Sequence, residues 1–507
     1  MISGMHTPLG YSALVQRFNL QVPPLRRTFA LGERATETHT QAPDGIERIE
    51  LPRGRASAVA STVEQLTFAF KREHLDLAVL GALFEKPEVI AEVRAWLVSR
   101  PTSGYARQAG YFAQWLVGAT FDYRAPAGTP RVRLLNNEQY LVGPETSSPQ
   151  FGIINNLLGT REFSPLVRLT DKLKSLLAED LRTKVTQAMQ SIEPEILSRA
   201  VDYLYLSETR STYSIEKEIP DSNRAAKFRH LLEAAGEPSN LTEKQLCQWQ
   251  NLIVSPLSAE YSYRASQNWL SRPGRLRNIA DFIPPAAEQV PAMMEGVSRV
   301  ASYGQAGLLD PAVAAACAAF GLVFIHPFFD GNGRLHRFLI HHVLRQSGFT
   351  PAGVVLPISA RMLLQLERYS AILKAYSKPR TELLNYRLDS DSGTIMVTSE
   401  QPMWLYAYFD ATELCEFLLE CCKLCVEEDL VNEVRYLRCH DQTVRELETW
   451  LDMRQSKLNA LIDIIVQGHG TLSRRKRSFV EGLTDEQVAR IEGVVSRQFA
   501  EHIDARP

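Results

Sequence analysis

A mainly α fold is predicted by three features of this chain. Apolar residues recur at helical spacing from about residue 61 onward. An Ala-rich apolar segment, Pro311–Ile325, runs into a tight loop and then a second periodic segment. Strand-like text is confined to short pieces. The expected architecture is a helical core with a small β-hairpin flap, flanked by helical N- and C-terminal domains. The expected boundaries are 1–195, 196–390 and 391–507.

Composition narrows the class. The 507 residues suffice for two to four domains with substantial cores. Hydrophobic residues are 45% and charged residues 22%, ordinary for a globular chain. A net charge of −2 gives no global attraction to nucleic acid or membranes. The first twenty residues lack a cationic stretch followed by an apolar one, and no apolar run is long enough to span a bilayer. Seven Cys in this length do not suggest a disulfide scaffold. A cytoplasmic location is the simplest expectation.

In chain order, residues 1–60 carry scattered Pro, Gly, Arg and Thr, with a turn at Pro43-Asp44-Gly45 and a short extended piece at Ile46, Ile49 and Leu51. Val63, Leu66, Phe68, Leu75, Leu77, Leu80 and Leu83 then mark helical faces, and Pro87 opens another helix. Tyr105, Tyr111, Phe112, Trp115 and Phe121 read as a packed aromatic core. Residues 131–135 and 139–142 read as strands of a hairpin around Asn136-Asn137. Helices are expected again over 164–207, with charged runs such as 171–174 as solvated faces.

The informative stretch is 326–337, His-Pro-Phe-Phe-Asp-Gly-Asn-Gly-Arg-Leu-His-Arg. The segment before it, Pro311–Ile325, is apolar all round with Pro just inside its start, as in a buried helix. The segment after it, 334–346, places Leu335, Phe338, Leu339 and Val343 at helical spacing, and Gly348 supplies a stop. Gly331, Asn332 and Gly333 can turn successive N–H groups toward one point and open a helix whose first N–H groups attract anions. Arg334 and Arg337 share a helix face, and two guanidinium forks suit a polyphosphate. Asp330 is a hard oxygen ligand of the kind Mg²⁺ prefers. His326 can take a proton from a hydroxyl, and Phe328 is expected to pack inward. Taken singly, each residue has an ordinary structural reading. Their conjunction in one loop points to a phosphate site with a base beside it.

This stretch resembles the Fic (Fido) family motif, H-x-F-x-[D/E]-G-N-G-R-x-x-R, at every specified position, and the resemblance extends over about 200–390. It implies a mainly helical fold and transfer of AMP from ATP, with Mg²⁺, to a Tyr, Ser or Thr hydroxyl of a target protein. His326 would be the base, Asp330 the metal ligand, and Gly331, Asn332, Gly333, Arg334 and Arg337 the nucleotide-binding residues. Fic proteins often carry an inhibitory helix with [S/T]-x-x-x-E-[G/N]. Residues 207–218, SETRSTYSIEKE, resemble it through Thr212 and Glu216, which are four apart on one helix face. Lys217 departs from the Gly or Asn of that pattern, and Ser214 with Glu218 gives a second register. The family's target-docking flap would fall on Leu276, Arg277, Asn278, Ile279, Ala280, Asp281, Phe282 and Ile283, and would hold a target backbone as an added strand. Self-modification and a homodimer are further expectations of partner. Use of another nucleotide, or removal of AMP, stays open as an alternative.

Farther on, Val354 to Ile358 form an apolar piece, and Tyr369, Tyr376 and Tyr386 follow without any one being singled out. Residues 389–399 read as a boundary. Cys421, Cys422 and Cys425 share a helix face with Leu414, Phe417 and Leu418, which favours core packing over a zinc site. Two helices over 441–468, followed by Arg474-Arg475-Lys476-Arg477, fit a helix-turn-helix with a basic patch for DNA. They fit equally a helical bundle with a solvated charge run. A DNA-binding regulator with a nucleotide-sensing loop is therefore the competing functional class.

Overall fold

The computed structural model describes residues 7–33, 35–41, 46–52, 61–272, 279–389 and 393–501. The expected turn at Pro43-Asp44-Gly45, and Leu276, Arg277 and Asn278 of the expected flap, lie outside these residues. Helices dominate, as predicted, and strands are short. Among the described residues no helix is long and apolar enough to cross a membrane. The chain forms two compact units, one of residues 1–179, 212–349 and 362–420, the other of 180–211, 350–361 and 421–507.

The first unit opens with a four-stranded sheet. Its central pair, Arg27–Gly32 and Glu47–Pro52, is parallel. Leu9, Phe29, Ile49 and Leu51 form its small apolar core. Four helices follow, Thr62–Arg72, Leu77–Phe84, Pro87–Ser99 and Gly104–Val117. Their starts are set locally. Ser61, Asp76 and Ser103 accept from N–H groups of the first turn, and Pro87 sits at the first helical position. Phe112, Phe121 and Phe151 are buried among them.

Two sequence expectations fail in this unit. Residues 131–142 do not form a hairpin. Val132–Arg133 pairs in parallel with Ile153–Asn155, and Tyr140–Leu141 pairs antiparallel with Ser164–Arg168. The buried Asn156 side chain captures both the N–H and the C=O of Leu135, so a hairpin partner has nothing left to bond there. Residues 164–168 are a strand rather than the start of a helix. They pair with Tyr408–Asp410, far along the chain, and Arg168 is fixed on Asp410 at 2.8 Å.

The centre of this unit is built on Val290–Gln305, Pro311–Ile325 and Asn332–Gln346. Pro311–Ile325 has the predicted bounds. Asp310 caps it by accepting from Ala312 and Val313, and every residue except Pro311 and Val323 is buried. Small residues let its neighbours approach closely. A Cβ at Gly304 would lie 2.8 Å from that of Ala314, and one at Gly321 would lie 2.4 Å from the Phe163 ring. Asn332–Gln346 buries polar groups as well as apolar ones. His336 is enclosed between Phe320 and Tyr369, and His342 packs on Trp249 with Gly236 N–H donating to its Nδ1.

The second unit contains Leu181–Gln190 and a three-helix cluster, Leu430–Glu448, Gln455–Gln467 and Asp485–Gln498. Leu447, Leu458, Leu461, Ile465, Val495 and Phe499 make its core. Cys421, Cys422 and Cys425 are fully buried. Arg361 forks onto Asp429 at 2.7 and 2.8 Å. The run Arg474-Arg475-Lys476-Arg477 lies exposed on a short 3₁₀ helix, Arg474–Val480.

Burial holds the pKa of His336 down at about 3 and that of His342 down at about 4. Both are therefore neutral when folded but take up protons below about pH 6.5 when unfolded. The stability they confer is complete above that pH and is lost as pH falls toward the folded values. His342→Asn should flatten the stability-against-pH slope between pH 4.5 and 6.5 by about 1.4 kcal/mol per pH unit. Urea unfolding followed through the neighbouring Trp249 measures it, and an unchanged slope contradicts the burial argument.

Candidate active site

The site forms where the buried helix Pro311–Ile325 ends. His326 takes the position after its last residue with φ 54°, a left-handed conformation unusual for a side-chain-bearing residue. Its Nδ1 lies 3.1 Å from Val323 O, so Nδ1–H donates there and Nε2 keeps its lone pair. Burial pushes the His326 pKa down to about 4, and the nearby Arg264 charge adds to this against the opposing pull of the Val323 carbonyl, Glu216 and Asp330. The imidazole is therefore neutral at pH 7, with the Nε2 lone pair able to accept a proton.

The loop is braced from inside. Phe328 is fully buried, as predicted, against Tyr263. The Asn332 amide accepts from Phe328 N–H at 3.1 Å and donates to Phe328 O at 2.7 Å, so this side chain is spent on the loop itself. Gly331 has φ 87°, and a Cβ there would lie 2.7 Å from Val254. Only glycine fits both conditions. The helix Asn332–Gln346 starts immediately after, and its first N–H groups have no partner within the helix.

Arg334 and Arg337 are 2% and 1% exposed, not solvated, and each is already engaged by carboxylates. Arg337 Nε donates to Thr212 Oγ1 at 2.6 Å, and its Nη2 donates to Thr212 O at 2.9 Å and Glu216 Oε1 at 2.7 Å. Glu216 also presses on the helix start, since a Cβ at Gly333 would lie 2.2 Å from its Oε1. Arg334 donates to Glu218 Oε2 at 3.1 Å and to Asp330 Oδ1 at 2.8 Å. Glu218 is held in turn by Arg224 at 2.8 Å, and both arginines lie over the Tyr213 ring.

One turn explains why both glutamates reach the site. The helix Pro194–Ile215 ends with Lys217 in the left-handed conformation, φ 58°. Lys217 N–H bonds Ser214 O and Glu218 N–H bonds Tyr213 O, the pattern of a Schellman cap with Lys217 at its left-handed position. That is the position where the resembled pattern has Gly or Asn. The two registers left open by the sequence are thus both occupied, Glu216 on Arg337 and Glu218 on Arg334.

Asp330 and Glu260 are the carboxylates of the loop. Glu260 accepts from Phe329 N–H at 2.8 Å and Asp330 N–H at 3.4 Å, and burial, reinforced by the Asp330 charge, raises its pKa despite those bonds. One or two carboxylates completed by phosphate oxygens is a donor set that suits Mg²⁺. Among the described residues no cluster of three or more His, Cys, Asp or Glu could hold a metal without such a ligand. Sequence reasoning missed Glu260, Arg264 and Asn268. All three act on backbone groups about sixty or seventy residues away, and backbone groups leave no mark in a sequence.

A hairpin lies beside the loop. Leu270–Arg272 pairs antiparallel with Ile279–Phe282, with an irregularity after Leu270. The first strand therefore starts upstream of the expected span. Ile279, Ala280, Asp281 and Phe282 form the second strand. Ile283 follows it, donating to Thr381 Oγ1 at 3.1 Å, and Phe282 packs on Tyr376. Leu270 and Ile279 leave apolar side chains exposed.

Comparison with known proteins adds a family. The Fic/DOC family model matches residues 240–344. A "Protein adenylyltransferase Fic" of Nematostella vectensis is 37% identical over 82 residues, 15% of this chain and 19% of that protein. A "Protein adenylyltransferase fic-1" of Caenorhabditis elegans is 35% identical over 92 residues, 17% of this chain and 18% of that protein. The chain thus spans less than a fifth of the length of these relatives. Among solved structures, a Fic family protein from Desulfovibrio desulfuricans G20 aligns with a TM-score of 0.38 at 16% identity, covering 67% of this chain and 92% of its own. The motif loop falls within the matched segment, and residues 240–344 of this chain are a Fic/DOC family domain.

Proposed function

We propose that this protein is an adenylyltransferase that moves AMP from ATP to a Tyr, Ser or Thr hydroxyl of a protein, and that its own Glu216 and Glu218 hold it inactive. The observation that carries this reading is the neutral His326, with Nε2 free, beside a helix start flanked by two buried arginines. A target hydroxyl gives its proton to Nε2 as its oxygen bonds to the α-phosphorus. The bond from that phosphorus to the β-phosphate oxygen breaks, and pyrophosphate leaves in line. Arg334, Arg337 and the first N–H groups of Asn332–Gln346 take the β- and γ-phosphate charge. Asp330, with Glu260 near it, would hold Mg²⁺, which when bound neutralises charge on the phosphates. Among the described residues the hairpin of Leu270–Arg272 and Ile279–Phe282 is a two-stranded sheet, to whose edge a target backbone can add as a strand.

Control follows from charge. Arg337 is buried and needs an anion, and Glu216 supplies it at rest. A γ-phosphate would exchange one anion for another, so the two compete for the same guanidinium. Glu218 occupies Arg334 in the same manner, and Arg334 in turn ties up Asp330. Basal transfer is accordingly low, and opening either contact alone leaves the other in place. A cytoplasmic location and self-modification belong to this reading. The exposed basic run at 474–477 favours one other reading, DNA binding by the second unit, which would appear as a salt-dependent gel shift with random DNA.

Incubation of the purified chain, with and without a cell lysate, with labelled ATP and Mg²⁺ tests the proposal. Glu216→Gly should raise transfer about tenfold or more, equivalent to roughly 1.4 kcal/mol of lost inhibition. Glu218→Gln should raise it less, and the double variant should exceed either single one. Arg337→Ala should not activate, because the same group serves the phosphates. Adding His326→Ala to Glu216→Gly should abolish transfer and leave ATP affinity nearly unchanged. Retained transfer there rules out His326 as the base, and no activation by either glutamate variant rules out the inhibitory role.

The turn makes a separate prediction. Lys217→Gly removes a left-handed side-chain-bearing residue and should stabilise the chain by about 0.5–1 kcal/mol, read as a higher Tm. A lower Tm would show that the lysine side chain contributes more than its backbone strain costs.

A further inference from the structure

We propose that Arg264 is a positioning residue whose guanidinium locks His326 in the left-handed conformation that leaves Nε2 facing the site. The inference rests on the reading of His326 as the base. Arg264 is 3% exposed. Its Nε donates to His326 O at 2.9 Å, and its Nη2 donates to Pro285 O at 2.5 Å and Ile325 O at 3.4 Å. Its Nη1 donates to Ser266 O at 3.1 Å, and its backbone N–H donates to Pro327 O at 2.9 Å. All of these partners are carbonyls, so among the described residues this buried guanidinium has no carboxylate hydrogen-bonded to it. Such a group is costly, and burial pulls its pKa down to about 10.

The compensation comes from where those carbonyls sit. Ile325 and His326 end a buried helix, at the negative end of its dipole, where carbonyls lack internal partners. Asn268 adds a second clamp, donating to Phe328 O at 2.8 Å and His326 O at 3.4 Å. Together the two side chains and the Arg264 backbone N–H hold successive carbonyls from 325 to 328 and leave the strained His326 backbone one arrangement. The same guanidinium grips Pro285, just beyond the hairpin strand Ile279–Phe282, so the base and the docking edge share one anchor. Its charge acts on the imidazole as well. The charged groups facing His326 are Arg264, Glu216 and Asp330, and Arg264 alone among them disfavours protonation.

The test uses the full chain carrying Glu216→Gly, so that transfer is measurable. Arg264→Met should lower kcat about 100-fold while KM for ATP changes less than about threefold, since a misplaced base costs turnover rather than phosphate binding. The acid limb of the kcat profile should move up by about one pH unit, because the cation opposing imidazolium is gone. Arg264→Lys keeps the charge and loses the fork. It should leave the limb in place and recover only part of kcat, and it serves if the Met variant does not fold. A merely structural role would change kcat and KM together with the limb unmoved, which would overturn the inference. So would an Arg264→Lys variant with the full kcat of its parent. If His326→Ala in the same background keeps transfer, it is the reading of His326 that has failed. If that variant is dead while the Arg264 variants keep full kcat, only the present inference has failed.

Discussion

The Arg337 guanidinium cannot stand alone. It lies on the first turns of a helix, almost fully enclosed, and a buried cation without an anion destabilises a fold by several kcal/mol. Much of the surrounding structure answers that need. Thr212 supplies a hydroxyl and a carbonyl, Glu216 a carboxylate, and Gly333 the empty space through which the carboxylate approaches. A phosphate could meet the same requirement. On the proposed reading, the Glu216 carboxylate and a nucleotide phosphate would take turns on this one guanidinium.

The left-handed residues carry much of the local geometry. His326, Gly331 and Lys217 each reverse the chain at a helix boundary. At Gly331 the reversal carries little strain. At His326 and Lys217 it costs backbone strain of the order of 1 kcal/mol, which neighbouring hydrogen bonds hold in place. Both of these strained positions sit next to groups of the site, and neither lies within a regular element.

What was legible in the sequence was what neighbours in the chain decide. Asp310, Pro311 and the alanine run specify the buried helix, and its bounds were read correctly. The spacing of Thr212, Glu216 and Glu218 was readable too. The turn that brings both glutamates onto arginines was not, because Lys217 hides a conformation more typical of Gly or Asn. Distant partners were not readable. Asn156 claims Leu135, and Tyr408–Asp410 claims the strand Ser164–Arg168, each across an interval that periodicity does not reach. Nothing in the sequence marks Arg264, since its partners are main-chain oxygens that every residue has.

The division of labour between Glu216 and Glu218 has a genetic consequence. Each carboxylate holds a different arginine, so a single missense change opens one contact and leaves its twin closed. Two independent changes in the same short segment are needed to remove both. On the proposed reading the full restraint is thus lost only in two steps by substitution of the glutamates, while one movement of the turn they share would open both contacts at once.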